Sequence, residues 1–199
     1  MMAVSIEDIK KLKELTGVGL TDAKKALVEA DGDFDKALEA MRKKGLTKAE
    51  KKGDREAREG IIDSYVHGGR IGVVVEVNCE TDFVARLDDF KKVAHEIAMQ
   101  VAAMSPKYVT EADIPAEEVD RFKTEAMERV KNEGKPAEIA EKIVEGQVKK
   151  HFAEQVLMSQ QFILDDKKSV EEYVKENIAK LGENIVIRQF KRIELGVNE

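Results

Sequence analysis

The sequence of residues 61–86 is IIDSYVHGGRIGVVVEVNCETDFVAR. Two runs rich in β-branched residues, 61–66 and 71–77, flank a short segment that contains Gly68-Gly69. Because adjacent glycines adopt the positive φ angles of tight turns, this pattern predicts a β-hairpin. The alternation places Cys79 in the same row as the valines of the second strand, so we expect a small buried core residue there.

A helix start follows the hairpin at Thr81 and Asp82, whose side chains are of the type that caps helices. The next residue, Phe83, falls on the first turn of that helix. Phe83, Leu87 and Phe90 recur at helical spacing, and spacing alone favours the interpretation that all three are core residues. Capping chemistry does not explain a large aromatic residue at this corner, so an exposed Phe83 remains the alternative.

The N-terminal residues 1–45 have the pattern of three short helices. The predicted N-caps of the three helices are Ser5, Thr21 and Asp33, and the third helix is expected to end at Gly45. The apolar positions predicted to face inward are Ile6, Ile9, Leu12, Leu15, Ala23, Ala26, Leu27, Ala30, Phe34, Ala37, Leu38 and Met41. We expect a three-helix bundle similar to a ubiquitin-associated (UBA-like) domain.

Residues 46–60 contain five basic and four acidic side chains without an apolar repeat. A solvated linker, helical through local ion pairs if at all, is the interpretation that this charge density favours. The chain therefore divides into a UBA-like domain over 1–45, a charged linker over 46–60 and a core domain over 61–199.

The core domain continues with helical patterns and ends in a strand. An apolar row over 90–104 predicts one helix, Pro115 opens a second, and Pro136 opens a third after a break at Gly134. The later features are apolar positions of the third helix up to Val156, an extended piece over 160–164, a helix capped by Ser169 that ends at Gly182, and a strand over 185–195. Three strands with intervening helices predict an α+β fold in which a three-stranded antiparallel sheet packs against helices.

Composition excludes several classes of function. The net charge is −6, which disfavours binding to nucleic acid or to an anionic membrane. The single cysteine cannot form an intrachain disulfide, and the N-terminus lacks the basic and apolar regions of a signal peptide. No apolar run is long enough to span a bilayer. We expect a cytoplasmic protein.

The sequence offers no catalytic or cofactor site. His67, His95 and His151 lie in no recognisable catalytic or metal-binding pattern, and the simplest interpretation of each is a solvated or hydrogen-bonded histidine. No phosphate-binding GxxxxGK[ST] loop follows a strand. We therefore expect no enzymatic activity, no metal and no cofactor.

One alternative function arises from the glycines that follow Leu12. Residues 12–19, LKELTGVG, resemble a helix-hairpin-helix, in which glycine amides contact DNA phosphates. They equally resemble the first turn of a UBA-like bundle or a plain helix–helix turn. Residues 1–45 carry nine basic and nine acidic side chains, whereas a phosphate-binding surface requires a basic excess.

Longer motifs resemble the elongation factor Ts family. They are TGVGLTDAKKAL at 16–27, DGDFDKA at 31–37, MRKKG at 41–45, EVNCETDFVAR at 76–86 and GENIVIR at 182–188. Together they cover essentially the whole chain in the family's order and resemble its short form, which has no inserted coiled coil. Gln161 departs from the pattern, since a proline is expected before Phe162.

The resemblance implies a guanine-nucleotide exchange factor for elongation factor Tu. It implies that Thr81, Asp82, Phe83 and Val84 intrude beside the partner's Mg²⁺ site and promote GDP release during translation elongation. It also implies that the N-terminal bundle docks on the partner's GTPase domain. The short form is expected to form a homodimer through its sheet, which would give a two-plus-two assembly with elongation factor Tu.

Overall fold

We describe the fold in a computed structural model, which covers residues 4–16, 18–50, 52–132 and 137–197. The helices are α1 (Ile6–Thr16), α2 (Leu20–Glu29), α3 (Phe34–Glu50), α4 (Asp82–Ala85), α5 (Asp88–Met104), α6 (Ala116–Asn132), α7 (Ala137–Ala153) and α8 (Val170–Leu181). The strands are β1 (Glu59–His67), β2 (Ile71–Cys79), β3 (Gln161–Phe162), β4 (Asp165–Ser169) and β5 (Ile185–Glu194). Short 3₁₀ turns lie at Glu111–Asp113 and Leu157–Ser159.

The main sheet confirms the predicted α+β class. Its strand order is β1-β2-β5, and both pairings are antiparallel. Gly68 and Gly69 have φ angles of 55° and 68°, so they supply the positive φ angles expected of the hairpin turn. The central strand β2 pairs Val75 with Asp63 of β1 and with Phe190 of β5.

One face of the sheet forms the main core. Val73, Val75, Val77 and Cys79 of β2 are buried there, as the alternation predicts. The residues of α5 that face them are also buried, and they are Phe90, Val93, Ile97 and Val101. Helix α8 adds Val174 and Ile178 to the same cluster.

The three N-terminal helices form a second core, as predicted. Its buried residues are Leu12, Ala23, Ala26, Leu27, Ala37 and Met41. The amide of Asp8 donates to Ser5 Oγ at 2.9 Å, and the amide of Lys36 donates to Asp33 Oδ1 at 3.1 Å, so two predicted caps are confirmed.

Three details predicted for the N-terminal helices are wrong. Gly19 holds the N-cap position of α2 in an extended conformation, which places Thr21 inside the first turn rather than at the cap. Ile6 and Leu15 are exposed, because a core built largely of alanines and short helices covers only a narrow stripe of α1.

The predicted end of the third helix at Gly45 is also wrong. Helix α3 continues to Glu50, and Ala49 is buried in the main core. Since α3 packs against α8, this tertiary contact offsets the cost of about 1 kcal/mol for a glycine inside a helix. Part of the predicted linker over 46–60 is therefore helical, and the division into domains at 1–45 and 61–199 stays a prediction.

The segment after α5 contains a helical hairpin and a small sheet. Helices α6 and α7 pack on a cluster of Ala126, Val130, Ala140 and Val144, and Pro115 precedes α6 as predicted. The predicted break at Gly134 and helix start at Pro136 lie outside the described residues. Val156 lies beyond the end of α7 and is buried beside Tyr108, so its predicted place in the helical row is wrong.

The predicted extended piece over 160–164 contains β3, which pairs with the unpredicted strand β4. Ser169 caps α8, and Gly182 ends the helix with a φ angle of 84°, as predicted. No helix among the described residues combines the length and apolar character that crossing a membrane requires.

Candidate functional site

The corner between β2 and α5 carries Thr81, Asp82, Phe83 and Val84 from the motif at 76–86. Strand β2 ends at Cys79, and Thr81 adopts an extended conformation that opens the four-residue helix α4. Thr81 Oγ1 accepts a hydrogen bond of 3.4 Å from the amide of Val84. Val84 and Ala85 are buried in the main core, so one side of α4 is anchored on the sheet and α5.

Phe83 lies on the open side of this corner. Its relative solvent exposure is 77%, whereas that of Phe90 is 0%. The spacing argument that favours core positions is therefore wrong for Phe83 and also for Leu87, which is exposed, and right only for Phe90. The cause is a break between the two helices, since Leu87 takes an extended conformation as the N-cap of α5.

Asp82 lies beside Phe83 and carries the negative charge of the corner. Its Oδ2 atom is 2.8 Å from a guanidinium nitrogen of Arg86, and both side chains reach solvent. Exposed pairs at this helical spacing contribute only about 0.3–0.5 kcal/mol. Breaking the ion pair with Arg86 so that Asp82 contacts another group would therefore cost little free energy.

A carboxylate from the far end of the chain holds the start of the corner. Glu183 Oε2 accepts hydrogen bonds from the amides of Glu80 and Thr81 at 3.1 and 3.0 Å. Glu183 Oε1 accepts a third bond, of 2.7 Å, from the Thr81 hydroxyl. The Thr81 hydroxyl thus donates to Glu183 while it accepts from Val84, and it connects the carboxylate to α4.

Cys79 contributes a further fixed contact at the end of β2. Its thiol donates to the carbonyl oxygen of Thr81 at 3.2 Å. Burial raises the pKa of this thiol to about 11, and the negative charge of Glu183 acts in the same direction. The thiol is protonated at neutral pH, so its role in the corner is structural.

The residues around Glu183 also connect the corner to the segment after α3. Asn184 is buried, and its side-chain amide donates to the carbonyl oxygens of Gly53 and Arg55 at 3.1 and 2.7 Å. Glu80 accepts a 2.7 Å bond from the amide of Asn184, and its other oxygen is 3.4 Å from Arg55. The corner and the segment that leads from the N-terminal helices therefore share one polar network.

Comparison with known proteins identifies the family. The family model described as Elongation factor TS matches residues 6–197. Elongation factor Ts of Syntrophomonas wolfei subsp. wolfei is 52% identical over 194 residues, which are 97% of this chain and 91% of the relative. The chain belongs to the elongation factor Ts family.

Two further elongation factor Ts sequences match along their whole length. The relative from Fervidobacterium nodosum is 48% identical over 196 residues, and that from Coprothermobacter proteolyticus is 50% identical over 196 residues. Both matches cover 98% of this chain and 100% of the relative. Elongation factor Ts is the nucleotide exchange factor of elongation factor Tu, so the family identifies a translation factor and its partner.

The family membership bears on the alternative functions considered from the sequence. A match that runs from residue 6 to 197 favours exchange activity over a helix-hairpin-helix module at residues 12–19.

The three histidines have ordinary hydrogen-bond partners, as the sequence predicts. His95 Nδ1 lies 3.0 Å from Asp63 Oδ2, and His67 Nδ1 lies 3.0 Å from the Tyr65 hydroxyl. His151 contacts the side chain of Gln155. Within the described ranges, no three His, Cys, Asp or Glu side chains form a group that could hold a metal ion.

Two residues of the candidate site, Glu183 and Asn184, were not assigned a role from the sequence. They fall inside the motif GENIVIR, which signalled the last strand and nothing about the corner. Glu183 is separated from Thr81 by 102 positions, and no local pattern relates the two.

Proposed function

We propose that Thr81, Asp82, Phe83 and Val84 are the residues with which this protein drives GDP off elongation factor Tu. The observation that supports the proposal is the exposure of Phe83 on an anchored helix start. A phenylalanine that is 77% exposed has most of its surface available to a partner. The buried Val84 and Ala85 on the other side of α4 fix the direction in which it projects.

The proposed mechanism is negative coupling between two ligands of elongation factor Tu. Phe83 and Asp82 enter beside the Mg²⁺ site of the partner and disturb the contacts that hold GDP. If the factor weakens the binding of GDP, GDP must weaken the binding of the factor by the same free energy. Burying a phenylalanine side chain contributes about 1.5–3 kcal/mol, and each tenfold loss in nucleotide affinity requires about 1.4 kcal/mol.

The N-terminal bundle supplies a second contact in this proposal. Leu15 and Leu20 are exposed on either side of the turn between α1 and α2. These two leucines, at the end of one helix and the start of the next, are apolar side chains available to a partner protein. We assign them to the interface with the GTPase domain of elongation factor Tu, while the core and β5 contact the partner elsewhere.

The experiment that tests the proposal measures release of a fluorescent GDP analogue from elongation factor Tu. The wild-type protein should accelerate release, and Phe83→Ala should remove most of the acceleration while the protein stays folded. If the wild type leaves the release rate unchanged, the exchange function is wrong. If Phe83→Ala is as active as the wild type, the role of Phe83 is wrong.

A matched control is Ile139→Ala, which removes another exposed apolar side chain. Ile139 lies in α7, which packs on α6 through a cluster separate from the main core. Phe83 lies in α4, which is anchored on the main core. Ile139→Ala should therefore retain exchange activity.

We further propose that two copies pair through the outer face of the main sheet. This face carries four exposed apolar residues on neighbouring strands, which are Ile62, Val66, Val74 and Ile193. The register sets Val66 opposite Gly72 and Gly72 opposite Ile193, and Val74 follows Gly72 on the same face of β2, so these residues form one patch. Ile62 lies at its edge, opposite Glu76. Antiparallel sheets commonly bury such a face against a second sheet, and a second copy supplies one.

A further inference from the structure

The carboxylate of Glu183 accepts three hydrogen bonds from Glu80 and Thr81 at the start of α4. We propose that Glu183 is a positioning residue for nucleotide exchange, which fixes the direction of Phe83 through Glu80 and Thr81. The proposal rests on the exchange function assigned to Phe83. It adds a residue that does not touch the partner in that role and that determines how well Phe83 does so.

The local contacts of α4 leave this helix in need of support. It has four residues, and the hydrogen bond from Val84 to the Thr81 cap is long, at 3.4 Å. An isolated single turn of helix is unstable in water, because fixing its dihedral angles costs more than one or two hydrogen bonds return. The packing of Val84 and Ala85 in the main core anchors one side of α4. The start of the helix at Thr81 depends on polar contacts from outside the segment.

Glu183 supplies these contacts in a form that resists displacement. An ionised carboxylate forms shorter and stronger hydrogen bonds than a neutral acceptor. Its two oxygens accept from two consecutive amides and a hydroxyl, which restrains both the position and the rotation of the chain at Thr81. Since Phe83 is two residues beyond Thr81, a shift there moves the phenyl ring directly.

Glu183 is itself held on both sides. Gly182 ends α8 in the left-handed conformation, and its carbonyl oxygen accepts a hydrogen bond from Lys52. Asn184 is buried, and its amide donates to Glu80 while its side chain bonds to Gly53 and Arg55. The carboxylate thus projects from a fixed turn rather than from a mobile surface loop.

The same turn places the N-terminal helices relative to Phe83. Gly53 and Arg55 belong to the segment that leaves α3, and both are bonded to Asn184. Glu183 and Asn184 are adjacent, so Phe83 and the segment that leads from the bundle are both held at the same turn of the chain. Asn184 holds the segment that leads from the bundle, whereas Glu183 holds Glu80 and Thr81, so a substitution of Glu183 removes only the contacts at the start of α4.

Three substitutions separate geometry from charge. Glu183→Gln keeps the length of the side chain, and its carbonyl oxygen can accept from both amides while its NH₂ donates to the Thr81 oxygen. Glu183→Asp keeps the charge but is one methylene too short. Glu183→Ala removes all three contacts. We expect Glu183→Gln to retain most of the exchange activity, whereas Glu183→Asp and Glu183→Ala lose it.

The measurement is the rate of fluorescent GDP release from elongation factor Tu over a range of concentrations of the full-length variants. Misplacement of a reacting or contacting group by about 1 Å commonly costs up to about 100-fold in rate. We expect Glu183→Ala to lower the maximal release rate by about tenfold or more, with a smaller change in the half-saturating concentration. Circular dichroism at the assay temperature establishes that each variant is folded.

A double-mutant cycle with Phe83→Ala isolates the positioning role. If Glu183 acts by directing Phe83, adding Glu183→Ala to Phe83→Ala leaves the release rate unchanged. An equal loss in both backgrounds means that Glu183 acts otherwise and overturns the proposal. Should Glu183→Ala not fold, the cycle is run with Glu183→Asp, and the same two outcomes apply.

The outcomes also distinguish this proposal from the one on which it rests. A wild-type protein that does not accelerate release, or a Phe83→Ala variant with full activity, overturns the assigned exchange site. An active wild type, an inactive Phe83→Ala and fully active Glu183→Ala and Glu183→Asp variants overturn the role of Glu183 alone.

Discussion

Phe83 and Phe90 lie seven residues apart, and they occupy opposite environments. Phe90 is fully buried against the sheet, whereas 77% of Phe83 is exposed to solvent. The extended conformation of Leu87 separates α4 from α5, so the two rings do not share a helix face. This break allows the aromatic residue of the motif to face outward while the following helix completes the core.

The contrast between the two phenylalanines predicts opposite effects of truncation on stability. Phe83→Ala should change the free energy of unfolding by less than about 0.5 kcal/mol, as surface substitutions do. Phe90→Ala leaves a cavity in the core and should lower the free energy of unfolding by about 3–5 kcal/mol. Urea denaturation followed by circular dichroism measures both. A large loss of stability in Phe83→Ala would show that the ring packs in the core.

The environment of Phe83 illustrates what the sequence could predict. The hairpin, α5 and α8 follow from local signals, which are the adjacent glycines, the apolar row over 90–104 and the Ser169 cap. The exposure of Phe83 does not follow from spacing, because the break at Leu87 involves a residue with no special turn preference. Only the motif's resemblance to a family suggested an exposed role.

Features that depend on distant contacts were missed. Strand β4 has the sequence DDKKS, which lacks the alternation of a half-buried strand, and it forms by pairing with β3. Helix α3 passes Gly45 because Ala49 packs in the main core. Glu183 contacts Thr81 across 102 positions of sequence, and such a pairing is set by the fold rather than by local propensity.

Cys79 should react slowly with thiol reagents in the native protein. Burial raises its pKa from 9.0 to about 11, so the folded protein contains about 100-fold less thiolate than an ordinary cysteine at pH 8. We expect at least this ratio between the labelling rates in guanidinium chloride and in native buffer. Equal rates in both conditions would contradict the burial of the thiol.

The same pKa shift fixes the sign of a pH effect on stability. Folding favours the protonated thiol, so its contribution is fully present below about pH 9 and is lost as the pH rises towards 11. Replacing the thiol should remove this part of the alkaline decline. Unfolding curves of the wild type and Cys79→Ala between pH 8 and 11 measure the difference, which should shrink with rising pH.

Gly60 should be intolerant of any side chain. It has a φ angle of 148°, and a Cβ atom there would lie 2.2 Å from the carbonyl oxygen of Val77. Gly60→Ala should therefore lower the free energy of unfolding by more than about 1 kcal/mol. Gly146→Ala is the control, since a Cβ atom at Gly146 in α7 would meet nothing within 4 Å outside the adjacent turns of its own helix. This substitution should raise stability by about 0.5–1 kcal/mol. Equal effects of the two substitutions would contradict the close approach at Gly60.

The open face of the sheet predicts the oligomeric state. If two copies pair through this face, light scattering after gel filtration should give about twice the chain mass of 22.3 kDa. Val66→Lys places a charge in the apolar patch opposite Gly72, where no acidic side chain faces it across the strands, so the variant should elute as a monomer. Val66 is already exposed, and the substitution should leave the fold of the single chain intact.

The control for this experiment is Ile139→Lys, which adds the same charge at an exposed isoleucine of α7, away from the main sheet. This variant should retain the mass of the dimer. A monomeric wild type, or a dimer that survives Val66→Lys, would overturn pairing through the sheet. Phe83 lies in α4, outside the three strands that carry the patch. The monomeric variant should therefore still promote GDP release from elongation factor Tu. If the variant loses both dimer formation and exchange activity, the second copy completes the exchange site.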